Sequence, residues 1–381
     1  MSQDRSVRAM QEIGRINTFF PILPSLGNHW AAMRPWEGRV IGLNLHLTTL
    51  TAGLVRELTL GGGTWVVSAA NLRTTDAGAV ELLRNHGITV YTGGDGEDRH
   101  SQVLSHRPEL LVDVGFELIQ RALGAQSSVL AAIEITRSGI TRLRAPGHVP
   151  FPVINLNDGR LKDAVENRHG VGEALWQAVA RLTGMHLSGR RVLILGYGPV
   201  GKGIAAYARA AGTTVEVVER DAIRRLFAHY DGYPTPSLSD GLSRASIVVT
   251  ATGRAHALTA EALGGARDGA VLVNAGHGGD EIDVAGLEDI AIRKDNVGPQ
   301  VETWHLPGGL RLTLLGGGHP LNIVLNSGSP EPVLLHFGLL GLTLQWLASE
   351  PALPDGETIV PEHLERAAAE HALRALGAHH S

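Results

Sequence analysis

An apolar run that ends in closely spaced glycines constrains the fold of this chain more than any other feature. Residues 191–203 read RVLILGYGPVGKG, and a helical pattern, 204–211, follows directly. Gly196 permits a tight turn, Gly198 lets a ligand approach the backbone, and Gly201 lets the helix pack closely on the strand. The amides at the helix N-terminus favour a phosphate group at this turn. The pattern therefore predicts a strand–turn–helix unit that binds the pyrophosphate of a dinucleotide.

The acidic residue after the next apolar stretch indicates which dinucleotide binds. This stretch, 214–218, is followed by Glu219, which stands about 20 residues beyond Gly201, the spacing that such folds use. A carboxylate at this place accepts hydrogen bonds from both ribose hydroxyls of NAD and repels the 2′-phosphate of NADP. NAD is therefore the predicted cofactor. The alternative is a structural glycine turn that binds no nucleotide.

Short apolar runs alternate with longer amphipathic stretches along most of the chain, which is the pattern of βα units around a parallel sheet. A first series of predicted strands comprises 39–45, 64–68, 88–91, 110–114 and 129–134. A second series comprises 191–195, 214–218, 247–251, 271–274 and 310–314. Predicted helices include 48–60, 171–182, 332–347 and 361–378, whereas 157–170 indicates a polar, turn-rich segment. The predicted fold class is α/β, with two Rossmann-like, doubly wound parallel-sheet domains and a cleft between them.

The division between the two strand series also predicts the domains. The chain has 381 residues, more than one hydrophobic core usually organises. Residues 1–170, completed by 329–355, are predicted to form a substrate domain, and 171–328 the NAD-binding domain. Residues 356–381 are predicted to form a C-terminal helical tail.

Composition excludes several classes of function. The formal net charge is −5 and no basic run stands out, so nucleic acid is not expected as a partner. The chain contains no cysteine, which removes disulfides, thiolate nucleophiles and cysteine metal sites, and no metal site is predicted. The N-terminus lacks the pattern of a secretory signal, and no apolar segment is long enough to span a bilayer. No membrane association is therefore expected, and the cytoplasm is the expected location.

Several further motifs resemble those of the S-adenosyl-L-homocysteine hydrolase family and occur in the family's order. They are LHLT at 45–48, NLNDGRLKDAVENRHG at 155–170, GYGPVGKG at 196–203, TATG at 250–253, NAGHGGDEID at 274–283 and PQV at 299–301. This resemblance implies a nucleoside as the small-molecule substrate and a homo-oligomer, either a dimer or a tetramer. It also implies that NAD takes hydride from the ribose C3′, that a base removes the C4′ proton, and that the 5′ substituent leaves. In the family, water then adds and the hydride is returned.

The resemblance also implies roles for individual residues at the matching positions. The catalytic candidates are His46, Lys162, Glu166, Asn167 and His277, and the substrate-binding candidates are Thr48, Asp113, Lys162 and Glu166. The cofactor-binding candidates are Thr136, Asn167, Gly196, Gly198, Pro199, Val200, Gly201, Glu219, Thr252, Asn274, Gly276 and Asn322. Lys162 would act as the base or stabilise an oxyanion, and the two histidines would exchange protons with the leaving group and water.

Plainer interpretations of these residues remain open at this point. Lys162 and Glu166 are four apart and could form an exposed helical ion pair. The chain has 18 histidines, and most histidines lie on surfaces or in satisfied core positions. Asn322 could simply cap a turn.

Departures from the family pattern fall mainly on the substrate side. A proton-transfer aspartate is replaced by Val114, a sugar-binding glutamate by Ile135, and an adenine-recognising glutamate by Leu50. The family's MGHPS becomes SGSPE at 327–331, its cysteine becomes Val171, and its lysine- and tyrosine-bearing tail is not found before Ser381.

Apolar side chains in place of two carboxylates disfavour an activated water. We therefore expect a lyase or dehydratase that expels the 5′ substituent and leaves an exocyclic alkene. The alternatives are a genuine S-adenosyl-L-homocysteine hydrolase and a non-catalytic, NAD-binding regulatory protein. The sequence leaves open the base, the sugar and the leaving group.

Overall fold

The computed structural model describes residues 2–124, 127–145, 147–276 and 278–377. The strands are β1 (Val40–Leu45), β2 (Thr64–Ala69), β3 (Thr89–Tyr91), β4 (Leu110–Asp113), β5 (Ala131–Glu134), β6 (Pro152–Asn155), β7 (Arg191–Leu195), β8 (Thr214–Val218), β9 (Ile247–Thr250), β10 (Ala270–Asn274), β11 (Arg293–Gly298), β12 (Val301–His305), β13 (Arg311–Leu315) and β14 (Gly356–Ile359). The helices are α1 (Ser2–Phe19), α2 (Ile22–Met33), α3 (Thr49–Thr59), α4 (Ala77–Asn85), α5 (Gly96–Ser105), α6 (Glu117–Leu123), α7 (Arg137–Leu143), α8 (Val171–Thr183), α9 (Pro199–Ala210), α10 (Ala222–Tyr230), α11 (Leu238–Arg244), α12 (Ala260–Leu263), α13 (Val284–Ile290), α14 (Leu321–Val324), α15 (Glu331–Ala348) and α16 (Glu362–Ala375). A π-helical segment spans Lys162–Gly170, and short 3-10 turns occupy Leu72–Thr74, Pro307–Gly309 and Gly316–Gly318.

The chain divides into two compact units, Met1–Asp163 with Pro330–Ser381, and Ala164–Ser329. The first contains a sheet of order β14-β6-β5-β4-β1-β2-β3 in which neighbouring strands pair in parallel. Both faces of this sheet are covered by helices, since separate apolar clusters lie on each side. Parallel strands that are buried on both faces consist almost entirely of apolar residues. These apolar runs are the reason that most of the strands could be predicted from the sequence.

The second unit has a sheet of order β11-β12-β13-β10-β9-β7-β8. The pairs from β8 to β13 are parallel, whereas β12 pairs antiparallel with both β13 and β11. The predicted α/β class with doubly wound, mainly parallel sheets is therefore confirmed. The antiparallel edge was not predicted, because β11 reads RKDNVG and carries no apolar alternation.

The C-terminal segment differs from the predicted separate tail. β14 pairs in parallel with β6, and α16 belongs to the same compact unit. Glu357 of β14 accepts hydrogen bonds from Arg144 at 2.6 and 2.7 Å and from Asn155 at 2.7 Å. Polar contacts thus hold this short strand in the sheet. Its four residues, GETI, form no apolar run, so the sequence did not predict a strand here.

The segment 157–170 also differs from the prediction of a turn-rich stretch. A turn at 157–159 leads into helical residues, and the π-helix Lys162–Gly170 continues directly into α8. Residues 160–169 contain neither glycine nor proline, so nothing in their backbone chemistry interrupts a helix. The boundary between the units falls at Asp163/Ala164 rather than at 170/171, inside this helix.

The hydropathic segment predicted as 332–347 forms the helix α15, which is buried along most of its length. Within the described ranges, no helix combines the length and apolar character that a transmembrane span requires.

Close approach between α8 and α9 depends on two glycines. A Cβ on Gly172 would lie 2.8 Å from the backbone carbon of Gly203, and a Cβ on Gly203 would collide with the backbone oxygen of Arg168. We expect Gly203→Ala to lower the free energy of unfolding by about 1–3 kcal/mol, because backbone atoms cannot move aside cheaply. Denaturant unfolding measures this difference.

Gly298→Ala is the matched control in the same unit. A Cβ there meets nothing within 4 Å, so the unfolding free energy should change by less than about 0.5 kcal/mol. Equal effects of the two substitutions would contradict the packing argument.

Candidate functional site

In the first unit, the predicted site residues gather at one edge of the sheet. His46 follows β1, Asp113 ends β4, and Thr136 follows β5. The carboxyl ends of parallel strands share an edge, where α/β proteins bind their ligands. Thr48 caps α3 at this edge by accepting a hydrogen bond from the backbone N–H of Thr51.

His46 is held by a threonine of the 3-10 turn Leu72–Thr74 and by a threonine of α3. Its Nδ1 lies 2.7 Å from the hydroxyl of Thr74, which also donates to the backbone oxygen of Asn71 at 3.0 Å. The hydroxyl of Thr51 donates to the backbone oxygen of His46 at 2.7 Å. Thr74 was missed by the sequence analysis because it belongs to none of the recognised motifs, and we add it to the candidate site.

Asp113 and Glu134 are partners in the register between β4 and β5, and both are fully buried. Asp113 accepts hydrogen bonds from the side chain of Asn44 and from the backbone N–H groups of Val114 and Ile119. Because these donors occupy both of its oxygens and no surface is exposed, we assign Asp113 a structural role. The expected substrate contact of Asp113 is not supported by this geometry.

Glu134 anchors the two loops that follow β4 and β5. Its carboxylate accepts hydrogen bonds from the backbone N–H groups of Gly115 and Phe116, and from both the N–H and the hydroxyl of Thr136. Burial raises the pKa of Glu134 to about 7. Burial and the neighbouring charge of Glu134 raise the pKa of Asp113 well above its ordinary value.

Apolar side chains follow these buried carboxylates at the same edge. Val114 and Ile135 retain only 5% and 9% of their surface exposed. Because the oxygens of Asp113 and Glu134 accept hydrogen bonds from the loops after β4 and β5, neither supplies a carboxylate in place of these apolar groups. The edge formed by β4 and β5 therefore offers little to bind a water molecule.

The π-helix changes which side chains share a helical face. In an α-helix, residues five apart point about 140° away from each other. A π-helix closes its turns with i→i+5 hydrogen bonds, so Glu166 and Asn167, four and five residues after Lys162, both fall toward the helical face that carries Lys162. All three are half-buried. The sequence predicted proximity of Lys162 and Glu166 only, and π-helical turns are frequent at functional sites.

In the second unit, the glycine turn has the geometry that its sequence predicted. Gly196 has φ +98°, and a Cβ there would collide with the backbone oxygen of Ala251. A Cβ on Gly201 would collide with the backbone oxygen of Gly196. Gly198 is the N-cap of α9, and Pro199 occupies its first turn, so free amides face the loop. Val200, the next residue of this first turn, is half-buried.

Glu219 lies beside this turn in a fixed orientation. Its carboxylate accepts hydrogen bonds from the backbone N–H of Tyr197 at 2.7 Å and of Asp221 at 2.9 Å. The residue is half-buried. A carboxylate so held can accept the ribose hydroxyls of a dinucleotide, as the sequence predicted.

The loops after β9 and β10 are joined by a buried glutamate. Glu281 accepts hydrogen bonds from the N–H and hydroxyl of Thr252 and from the N–H of Gly253. Burial raises the pKa of Glu281, and a Cβ on Gly276 would collide with its carboxylate. Glu281 was part of a quoted motif but was missing from the predicted site.

Asn274 and Asn322 occupy the same edge of this sheet. Asn274 is fully buried; its amide donates to the backbone oxygens of Gly278 and Gly318, and its oxygen accepts from Thr250. The side-chain oxygen of Asn322 is buried and has no hydrogen-bond partner among the described residues. A buried acceptor of this kind requires a donor, and the carboxamide of a nicotinamide supplies one. The residues present therefore fit a dinucleotide.

His277 lies outside the described residues.

Comparison with known proteins identifies relatives over nearly the whole chain. A family model described as "S-adenosyl-L-homocysteine hydrolase, NAD binding domain" matches residues 167–328. S-inosyl-L-homocysteine hydrolase of Methanopyrus kandleri is 33% identical, covering 94% of this chain and 88% of the relative. Adenosylhomocysteinase of Pyrobaculum aerophilum is also 33% identical, with coverage of 94% and 89%.

A solved structure is similar in fold. A dipicolinate synthase chain from Bacillus halodurans aligns with a TM-score of 0.53 and 14% identity, covering 83% of this chain and 99% of that chain. At this identity the likeness concerns the fold alone.

The buried pair Asp113–Glu134 predicts an unusual dependence of stability on pH. Because the pKa of Glu134 is near 7 in the folded chain and about 4.3 when unfolded, the folded state holds more protons between these values. The free energy of unfolding should therefore fall as pH rises through this window, by up to about 3 kcal/mol. Asp113→Asn removes a second carboxyl whose pKa is raised by burial, and it should therefore lessen the fall. Denaturant unfolding at intervals between about pH 5 and pH 8 measures it.

Asp268→Asn serves as the control, because Arg311 lowers the pKa of this exposed carboxyl and its titration lies below the window. It should leave the pH dependence of the free energy of unfolding unchanged. If that dependence is the same in Asp113→Asn as in the unmodified chain, the assignment of raised pKa values to the buried pair is wrong.

Proposed function

Because the chain belongs to the S-adenosyl-L-homocysteine hydrolase family and has NAD as its cofactor, we propose that it is a nucleoside lyase. In this proposal it eliminates the 5′ substituent of a nucleoside and releases the exocyclic alkene without adding water. Where the 5′ substituent is hydroxyl, the enzyme is a dehydratase.

The observation that carries the proposal is the apolar edge formed by Val114 and Ile135. Family members are expected to carry carboxylates at these positions, and a water that attacks an enone needs such polar partners. A water placed against two apolar side chains loses hydrogen bonds and is disfavoured. The adjacent carboxylates, Asp113 and Glu134, are engaged by backbone donors of the loop after β4, and Glu134 also by those of the loop after β5.

When bound, NAD would supply reversible hydride transfer with a sugar carbon, which leaves no net oxidation over the whole reaction. Residues of the glycine turn, Glu219 and Asn322 would hold this cofactor. Lys162 would take the proton of the sugar hydroxyl or stabilise the oxygen as charge develops there. Glu166 and Asn167, on the same π-helical face, would orient Lys162 and the sugar.

The proton transfers balance as a dehydration. A proton leaves C4′, hydroxide leaves C5′, a double bond forms between these carbons, and one water is released. Hydroxide is a poor leaving group, so it must be protonated as it departs. His46, held by Thr74 at 2.7 Å, would supply this proton.

Hydrolysis of an S-nucleosylhomocysteine is the second candidate. It is favoured by the names of relatives 33% identical over 94% of this chain, one acting on S-inosyl- and one on S-adenosyl-L-homocysteine by name. Leu50 occupies the position of the expected adenine-recognising glutamate, which leaves the choice between adenine and hypoxanthine open.

Incubation in heavy-oxygen water separates the two reactions. We expect the purified chain to convert adenosine or inosine into a product lighter by one water, without heavy oxygen in the recovered nucleoside. Mass spectrometry follows both species. Release of homocysteine from S-adenosyl- or S-inosyl-L-homocysteine together with adenosine or inosine that carries heavy oxygen at the 5′ position would establish the hydrolase instead.

Lys162→Ala should abolish product formation and any change in cofactor absorbance, while Lys294→Ala should leave both unchanged. Lys294 pairs with Glu302 on the edge of the second sheet and belongs to none of the sequence motifs. Full turnover by Lys162→Ala would remove Lys162 from the proposed chemistry.

Thr74→Val tests the orientation of His46. Loss of its hydroxyl removes the hydrogen bond to Nδ1, and turnover should fall about tenfold with unchanged affinity for NAD. Thr74→Ser should restore turnover because it retains the hydroxyl.

Thr75→Val is the control, because the hydroxyl of Thr75 donates to the backbone oxygen of Asn71 rather than to His46. A loss of turnover equal to that of Thr74→Val would indicate a general disturbance of the loop.

A further inference from the structure

Arg224 points from the first turn of α10 toward the glycine turn. Its backbone N–H donates to Asp221, the N-cap of this helix, at 2.9 Å. Its Nη1 lies 3.9 Å from the position that a Cβ on Gly198 would take. Apart from the chain around Gly198 itself, this guanidinium is the only described group within 4 Å of that position. Arg224 therefore borders the space above the second glycine of the turn.

The guanidinium of Arg224 is exposed and unengaged. Within the described part of the chain it forms neither an ion pair nor a side-chain hydrogen bond, unlike Arg209, which donates to the backbone of Asp231, and Arg244, which pairs with Glu216. Its neighbours above the turn are amides, since Gly198 caps α9 and leaves N–H groups facing outward. Amides and a guanidinium facing one space make that space attractive to an anion.

We propose that Arg224 is a ligand of the cofactor's pyrophosphate. In dinucleotide-binding folds the second glycine of the turn is where the pyrophosphate meets the backbone. The planar guanidinium donates to two phosphate oxygens at once, and its charge adds to the positive potential that the N-terminus of α9 presents to an anion. This inference rests on the NAD-binding domain and is independent of which reaction the enzyme performs.

Glu219 decides between the two phosphates that an arginine at this place could bind. An arginine near the adenosine ribose would accommodate the 2′-phosphate of NADP. Here the carboxylate of Glu219 is held beside the turn by the N–H groups of Tyr197 and Asp221, and it repels a 2′-phosphate. Arg224 is thus assigned to the pyrophosphate, which NAD and NADP share.

Equilibrium binding to the cofactor-free full chain, measured by calorimetry, tests the proposal. Arg224→Ala should raise the Kd for NAD⁺ about tenfold, the equivalent of about 1.4 kcal/mol. The Kd for ADP-ribose, which retains the pyrophosphate, should rise by the same factor, and that for adenosine should not change. Arg224→Lys should recover part of the loss, because a lysine keeps the charge without the fork.

Arg225→Ala is the matched control: this exposed neighbour lies on the same helix, and its removal should leave every Kd unchanged. The affinity of Arg224→Ala for NAD⁺ should also depend less on salt. An unchanged Kd for NAD⁺, or a loss confined to NADP⁺, would overturn the assignment. Thermal unfolding of each variant distinguishes loss of binding from loss of folding.

Discussion

A buried glutamate ties together the loops at the carboxyl edge of each sheet. Glu134 in the first unit and Glu281 in the second are fully buried, and each accepts backbone N–H groups together with a threonine hydroxyl. Burying a carboxylate is costly unless several donors surround it, so each loop must keep its conformation to satisfy the charge. A nearby glycine makes room in both cases, since a Cβ on Gly139 or Gly276 would collide with the carboxylate.

This arrangement separates the acidic groups that support the fold from those available for chemistry. Asp113 and Glu134 lie close in sequence to the expected reacting carboxylates, yet their oxygens are occupied within the loops. The residues that directly follow them, Val114 and Ile135, are apolar and buried. The chain thus keeps the backbone framework of a polar edge, whereas the side chains next to the two carboxylates are apolar.

Elements with strong local signals could be predicted from the sequence, whereas those that depend on distant partners could not. The strand β7, its glycine turn and α9 could be predicted because an apolar run leads into glycines at positions where a side chain would not fit. In contrast, β6 and β14 have only four residues each, and the Arg144–Glu357 contact joins residues far apart in the chain. Thr74 was missed because its role depends on a contact between its turn and His46, and nothing in the local sequence indicates that contact. The π-helix escaped prediction because hydrogen-bond spacing leaves no residue-type signature.

The π-helical segment acts, in effect, as a stored insertion of about one residue into an otherwise continuous helix. Deleting a single residue there would let the segment relax to α-helical spacing and would leave the helix on both sides in phase. An extra residue inserted in α8 just before Gly172 would instead rotate every later residue by about 100° around the axis. Gly172 would then turn away from Gly203, and a bulkier residue would meet α9. The segment 162–170 can therefore absorb a change of length that the regular helix beyond it cannot.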